Sequence, residues 1–195
     1  MRAILTSICM FSALITTGLC LICEHCIDIH RDSCSGISKK CNEGDMCVIK
    51  LENATAGGKS YLSIFKGCEK EDPRICGNVL DSNSTGFSFI FYTVCCKEDN
   101  CNSRKVIVPP INTTENGLEC PSCYISGSFE CTTTETIKCV GTQEQCFDFS
   151  GEMRLPGQKF QPQAIKGCTR AGGCEVGFPV VKGMTIVEQK RLECT

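Results

Sequence analysis

The residues whose type and spacing suit chemistry are two cysteine pairs three apart, Cys23 with Cys26 and Cys120 with Cys123. In a reducing compartment such pairs hold zinc or exchange thiols. In an oxidising one they are structural bridges. The chain carries 20 cysteines in 195 residues, a density that belongs to a secreted disulfide scaffold. Bridging is therefore the reading, and neither a metal nor a cofactor is expected. Histidine offers little more. A hydrolase needs a nucleophile held by a base that is itself oriented, and only His25 and His30 are present. His25 lies inside the first cysteine pair, and His30 stands between Asp28 and Asp32 in a polar stretch that reads as a solvated fingertip. No glycine-rich phosphate loop, paired-histidine helix or calcium loop appears. The charged runs Glu69–Asp72 and Lys97–Asp99 read as solvated loops. The expectation is a protein that is not an enzyme.

The elements that position these cysteines follow from the whole chain. The formal net charge is −2, with no basic stripe of the kind nucleic acid requires. Residues 1–20 read as a signal peptide: Arg2 is basic, Ile4 to Leu19 is mostly apolar with no charge, and small Gly18 and Cys20 precede a cut that leaves Leu21 first. The last residues, Val187 to Thr195, are charged rather than apolar, so a lipid anchor is not expected. The expected product is secreted, extracellular and free of a membrane anchor.

Without the leader, 18 cysteines remain, in two runs. Intervals in the first are 3, 8, 7, 6, 21, 8 and 19; in the second they are 3, 8, 8, 7, 22, 6 and 20. This agreement is an internal duplication. Lys66-Gly67-Cys68 recurs as Lys166-Gly167-Cys168 and fixes the register. The expected division is domain 1 over 21–102, a linker over 103–117 and domain 2 over 118–195. Units this small bury too little for a generous core and lean on their bridges.

Count alone does not give the pairing. Adjacent Cys95 and Cys96 seldom bridge each other, so each points to a different partner, and Cys101 lies near Cys96. The stretch Val94-Cys95-Cys96-Lys97-Glu98-Asp99-Asn100-Cys101-Asn102, with the opening Leu21-Ile22-Cys23-Glu24-His25-Cys26, resembles the three-finger module of the lymphocyte antigen 6 and urokinase receptor family. The resemblance implies a small disulfide-rich all-β fold of two tandem three-finger, snake-toxin-like domains. It also implies the pairs Cys23–Cys47, Cys26–Cys34, Cys41–Cys68, Cys76–Cys95 and Cys96–Cys101. By register the second unit has Cys120–Cys146, Cys123–Cys131, Cys139–Cys168 and Cys174–Cys194, without the final seal.

Between the cysteines, hairpins are expected. Val48–Leu51 goes out, Asn53–Gly58 forms a tip and Tyr61–Phe65 returns. A third hairpin turns near Asp81–Gly86 and returns through Phe87–Val94. Period two puts Phe87, Phe89 and Phe91 on one face and Ile90, Tyr92 and Val94 on the other. A strand apolar on both sides is either covered by the neighbouring unit or is a binding surface. Gly36 marks the bend of the first finger, and Pro109-Pro110 marks a stiff extended spacer. In unit two, turns are expected near Leu155-Pro156-Gly157 and Val181-Lys182-Gly183. Asn53, Asn83 and Asn112 each open an N-glycosylation triplet, in segments expected to be tips or linker.

Two units on one chain, the second ending Leu192-Glu193-Cys194 without a double cysteine, look most like the gamma-type phospholipase A2 inhibitors. Unit two departs from some of these by holding both Cys123 and Cys131. The resemblance implies inhibition of secreted phospholipase A2 by protein–protein contact, often as a homo-oligomer. Tyr61, Phe65, Phe89 and Tyr92 are the residues assigned here to the partner contact. The alternatives are a receptor-type or adhesion ligand of the urokinase receptor branch, and a secreted modulator of ion channels.

Overall fold

The computed structural model describes residues 20–132, 134–178 and 182–195. The expected leader lies outside the described residues except for Cys20, as does Val181 of the expected third turn in unit two. Two tandem three-finger units are present. The first contains β1 (Ile22–Asp28), β2 (Ile37–Lys40), β3 (Asp45–Ala56), β4 (Lys59–Lys70), β5 (Val79–Ser84) and β6 (Phe87–Cys96). The second contains β7 (Glu115–Ser126), β8 (Glu135–Val140), β9 (Gln145–Arg154), β10 (Gln161–Thr169), a single turn of helix α1 (Gly173–Val176) and β11 (Thr185–Cys194).

Each unit is closed by a knot at one end. In unit one the disulfides are Cys23–Cys47, Cys26–Cys34, Cys41–Cys68, Cys76–Cys95 and Cys96–Cys101. In unit two they are Cys120–Cys146, Cys123–Cys131, Cys139–Cys168 and Cys174–Cys194. Bridges of this kind stabilise small domains chiefly by restricting the unfolded chain. They stack on one another: Cys23 Sγ lies 3.0 Å from Cys41 Sγ, and Cys120 Sγ lies 3.3 Å from Cys139 Sγ.

The hairpins run further than the turn residues suggest. β3 pairs with β4 on one side and β6 on the other through to Ala56, so Asn53 sits in mid-strand and the tip is only Gly57-Gly58. Both glycines have positive φ, 55° and 76°, a region L-residues avoid. Likewise β5 continues to Ser84, and the third hairpin turns at Thr85-Gly86. Gly36 is not a bend: a Cβ there would lie 1.9 Å from the His25 carbonyl oxygen, so glycine lets the chain approach β1.

The two units are not beads on a spacer. β5 of unit one hydrogen-bonds to β10 of unit two, with Cys168 opposite Asn83 and Thr169 opposite Ser82. The strands run β11-β9-β10-β5-β6-β3-β4-β1-β2, with β7 also paired to β10 and β8 to β7. Gly167 permits this junction, since a Cβ would fall 2.1 Å from the Asn83 carbonyl oxygen. The segment after β6 is a strap rather than a free linker. Val106 and Val108 pack with Val94 over Ile49, Leu51 and Ile64 on the outer face of the unit-one sheet.

Candidate interaction surface

The apolar strand β6 decides what surface remains. Phe87, Phe89 and Phe91 are buried, in one cluster with Phe147, Phe149, Met153, Ile165 and Phe178 of unit two. Phe178 is the hub. Its ring meets those of Phe87, Phe89, Phe147 and Phe149 edge-on, with centroids 5.1 to 6.4 Å apart, a favoured aromatic geometry. The inner face of β6 is thus covered by the neighbouring unit. Its outer face meets the strap at Val94.

This placement corrects the assignment of Phe89 to a partner contact, because its side chain is only 5% exposed and belongs to the shared core. Tyr61 is half-buried against the same core, and its hydroxyl accepts a 2.7 Å hydrogen bond from Gln158 Nε2. Phe65 lies on the same face, half-buried beneath the Lys182 ammonium, 4.9 Å from the ring centroid. Ala54 opposes both Tyr61 and Phe89, whereas Tyr92 opposes Leu51 and so faces the other side of the sheet. The four residues therefore do not form one surface.

Sequence reasoning passed over a different set. Ile27, Ile29 and Ile37 are 56%, 38% and 64% exposed. Ile37 opposes His25 on β1, and Ile27 opposes Phe65 on β4, so these two share the inner face, and Ile29 follows just past the end of β1. Clustered exposed apolar side chains mark interaction sites. The signal is legible as the alternation Cys26-Ile27-Asp28-Ile29, inside a stretch whose charged residues read as a polar fingertip. Arg31, Lys39 and Lys40 stand exposed in the same finger.

Buried polar groups hold the frame behind this surface. Asn102, fully buried, accepts the Glu24 N–H at 2.9 Å and donates to the Glu24 and Val48 carbonyls at 2.9 and 3.2 Å. Glu24 in turn pairs with buried Lys66 at 2.8 Å and accepts the Gly36 N–H. Burial pushes the Glu24 carboxyl up, but the Lys66 ammonium and the Gly36 N–H outweigh it and hold it below the usual carboxylate range. Glu52 does the opposite. It accepts the backbone N–H of Lys182 and of Gly183, the latter at 2.7 Å, and the Ser63 hydroxyl. Burial nonetheless pushes its carboxyl up. Asp81, held by Gln143 Nε2 at 2.6 Å, is also pushed up by burial. Both carboxylates of unit one thus clasp unit two.

Three sulfurs in each knot, Cys23, Cys41 and Cys68 and then Cys120, Cys139 and Cys168, gather at the spacing of a metal site. Every one is already bonded in a disulfide, so no thiolate is left to coordinate. Among the described residues no helix is long and apolar enough to cross a membrane.

Comparison with known proteins places this architecture. The u-PAR/Ly-6 domain profile matches residues 20–104 and 116–183. Phospholipase A2 inhibitor NAI of Notechis ater is 29% identical over 171 residues, covering 85% of this chain and 82% of that one. A gamma-type phospholipase A2 inhibitor of Elaphe quadrivirgata is 28% identical over 168 residues, with the same two coverages. The urokinase plasminogen activator surface receptor of Bos taurus is 32% identical over 159 residues, or 73% of this chain but 45% of the receptor. With two matched domains spanning most of its length and two knotted units in its structure, the chain belongs to the u-PAR/Ly-6 domain family.

Proposed function

We propose that the protein is a secreted binding protein that inhibits secreted phospholipase A2 by direct contact, without chemistry of its own. The observation that carries this reading is the resemblance to phospholipase A2 inhibitors across both units, over 85% of the chain. On this reading residues 1–20 are a leader that is removed, and the product works outside the cell as units 21–102 and 118–195 joined by 103–117. The contact surface is the isoleucine face of the first finger, Ile27, Ile29 and Ile37, with Phe65 at its edge. A few well-packed anchor residues supply most of the energy of a protein interface. A rigid sheet behind them reduces the ordering cost on binding.

The test is titration of several secreted phospholipase A2 enzymes with the purified oxidised protein. Inhibition that saturates near equimolar ratio is expected. The double variant Ile27→Ser, Ile37→Ser should bind at least tenfold more weakly, about 1.4 kcal/mol or more, at unchanged melting temperature. No inhibition by folded protein would sink the phospholipase reading. Inhibition untouched by the double variant would move the contact elsewhere.

A further inference from the structure

On the outer side of the sheet, where β5, β6, the strap and the β8–β9 connection meet, lies a cleft of about 450 Å³. Asn83 lines it, and Asn83 opens the acceptor triplet Asn83-Ser84-Thr85. We propose that this cleft is the seat of an oligosaccharide attached at Asn83, its first sugars lying between the two units and the strap. The inference uses the secretory route of the preceding reading and is independent of the phospholipase partner.

The position of Asn83 is fixed from both sides. It opposes Ser88 on β6 and Cys168 on β10, so its backbone cannot turn and its side chain shares the face of Asp81 and Ser88. The cleft has the two surfaces a pyranose ring needs. Ile90, Pro109 and Ile111 provide an apolar wall for the ring's C–H face. Ser88 and Thr113 provide hydroxyls that accept from and donate to its own, while Asp81 and Gln143, hydrogen-bonded to each other, close the floor. Sites that hold small molecules combine an apolar lining with a few polar groups in this way. A tethered sugar needs little intrinsic affinity, because attachment within the cleft gives it a high effective concentration.

The other two triplets lack such a seat. Asn53 stands exposed in the middle of β3. Asn112 is exposed on the strap, its side-chain oxygen accepting the Thr114 N–H at 3.0 Å. Neither lines the cleft.

The step is a glycosyl transfer with a lipid-diphosphate-linked oligosaccharide as donor. The Asn83 amide nitrogen forms a bond to the anomeric carbon of the first sugar. The bond from that carbon to the diphosphate oxygen breaks, the lipid diphosphate leaves, and the amide loses one proton. It happens before folding, since the finished strand lies hydrogen-bonded between two neighbours.

The experiment uses full-length protein secreted from eukaryotic cells, with site-resolved mass spectrometry before and after an amidase that releases N-linked sugar. Expected is a modified Asn83 whose sugar, in the native protein, is released at least about tenfold more slowly than that of Asn112, a protection of about 1.4 kcal/mol. The difference should vanish after reduction and denaturation. Asn83 unmodified while Asn112 is modified overturns the proposal and leaves the secretory route standing; equal native release rates overturn it as well. As a second readout, Asn83→Gln and Thr85→Ala should each speed amide exchange in the strap severalfold. Thr85 also accepts a hydrogen bond from Ser122, so the Gln variant decides if the Ala variant misfolds, and unchanged exchange in it counts against the proposal.

Discussion

Asn102 shows how one side chain ties a finger to a knot. In the sequence it is only the residue after Cys101, yet it satisfies three backbone groups of β1 and β3 with no exposure to solvent. Removing it leaves buried donors and acceptors unpaired, which is the expensive way to lose a hydrogen bond. Asn102→Ala should cost about 2–3 kcal/mol in a denaturant titration; a loss within error would mean water replaces the amide. Glu52 makes a pH-dependent prediction. Its folded carboxyl titrates above its unfolded value of 4.5 because burial disfavours the charge. The unfolded chain therefore releases this proton first as pH rises, and stability falls from the unfolded value up through the folded one. Lys50 and Lys182 face Glu52 with opposite charge, and Glu69, paired with both, partly offsets them. The melting temperature of Glu52→Gln relative to wild type should thus climb as pH rises above about 4.5. A flat or falling difference refutes the assignment. Glu24 has the opposite sign, with its stabilisation lost as pH falls through its lowered value, so the variant comparison rather than the raw melting curve isolates Glu52.

At the scale of elements, β6 and Phe178 carry the junction. Phe178 fills the space between aromatic rows from both units, and Phe178→Ala should cost about 3–5 kcal/mol by loss of burial and creation of a cavity. Equilibrium unfolding monitored by urea would check this, and a cost under about 1 kcal/mol would show that the core collapses around the gap. The aromatic strand itself was legible from the period of Phe87, Phe89 and Phe91, and the duplicated intervals announced two units of three-finger plan. Cover by the neighbouring unit was one of the two readings that strand allowed; the part Phe178 plays in it was not legible, because nothing local to Phe178 distinguishes a finger residue from a hub. The ends of β3 and β5 differ from expectation for a related reason. Asn53, Thr55, Asp81, Ser82 and Asn83 are turn-forming residues by composition, but strands on both sides hold them extended. Polar pairing across the junction, such as Ser82 with Thr169 at 2.9 Å and Ser84 with the Cys123 carbonyl at 2.9 Å, satisfies them there. Tertiary contacts with a distant repeat outweigh local turn preference. The first-finger isoleucines escape a sequence reading because their acidic and basic neighbours mask the alternation.

For the whole molecule, the shared core and the β5–β10 pairing mean that the duplicated units should not melt separately. Calorimetry of the oxidised protein should show one transition whose calorimetric and van't Hoff enthalpies agree. Two resolved peaks would show the junction to be weaker than the knots. The same reasoning makes each half a poor choice as an isolated reagent: unit one alone would bare its phenylalanine row and the unpaired edge of β5, a combination that favours aggregation.

That aromatic row also sets a schedule for the cell. Unit one has all its cysteines once Cys101 has emerged, but Phe147, Phe149 and Phe178, which cover its inner face, are made later. At ordinary translation speeds the remaining stretch takes roughly 5–20 s. For that interval the nascent chain carries a nearly complete domain with a sticky side, open to wrong contacts until its own second half arrives.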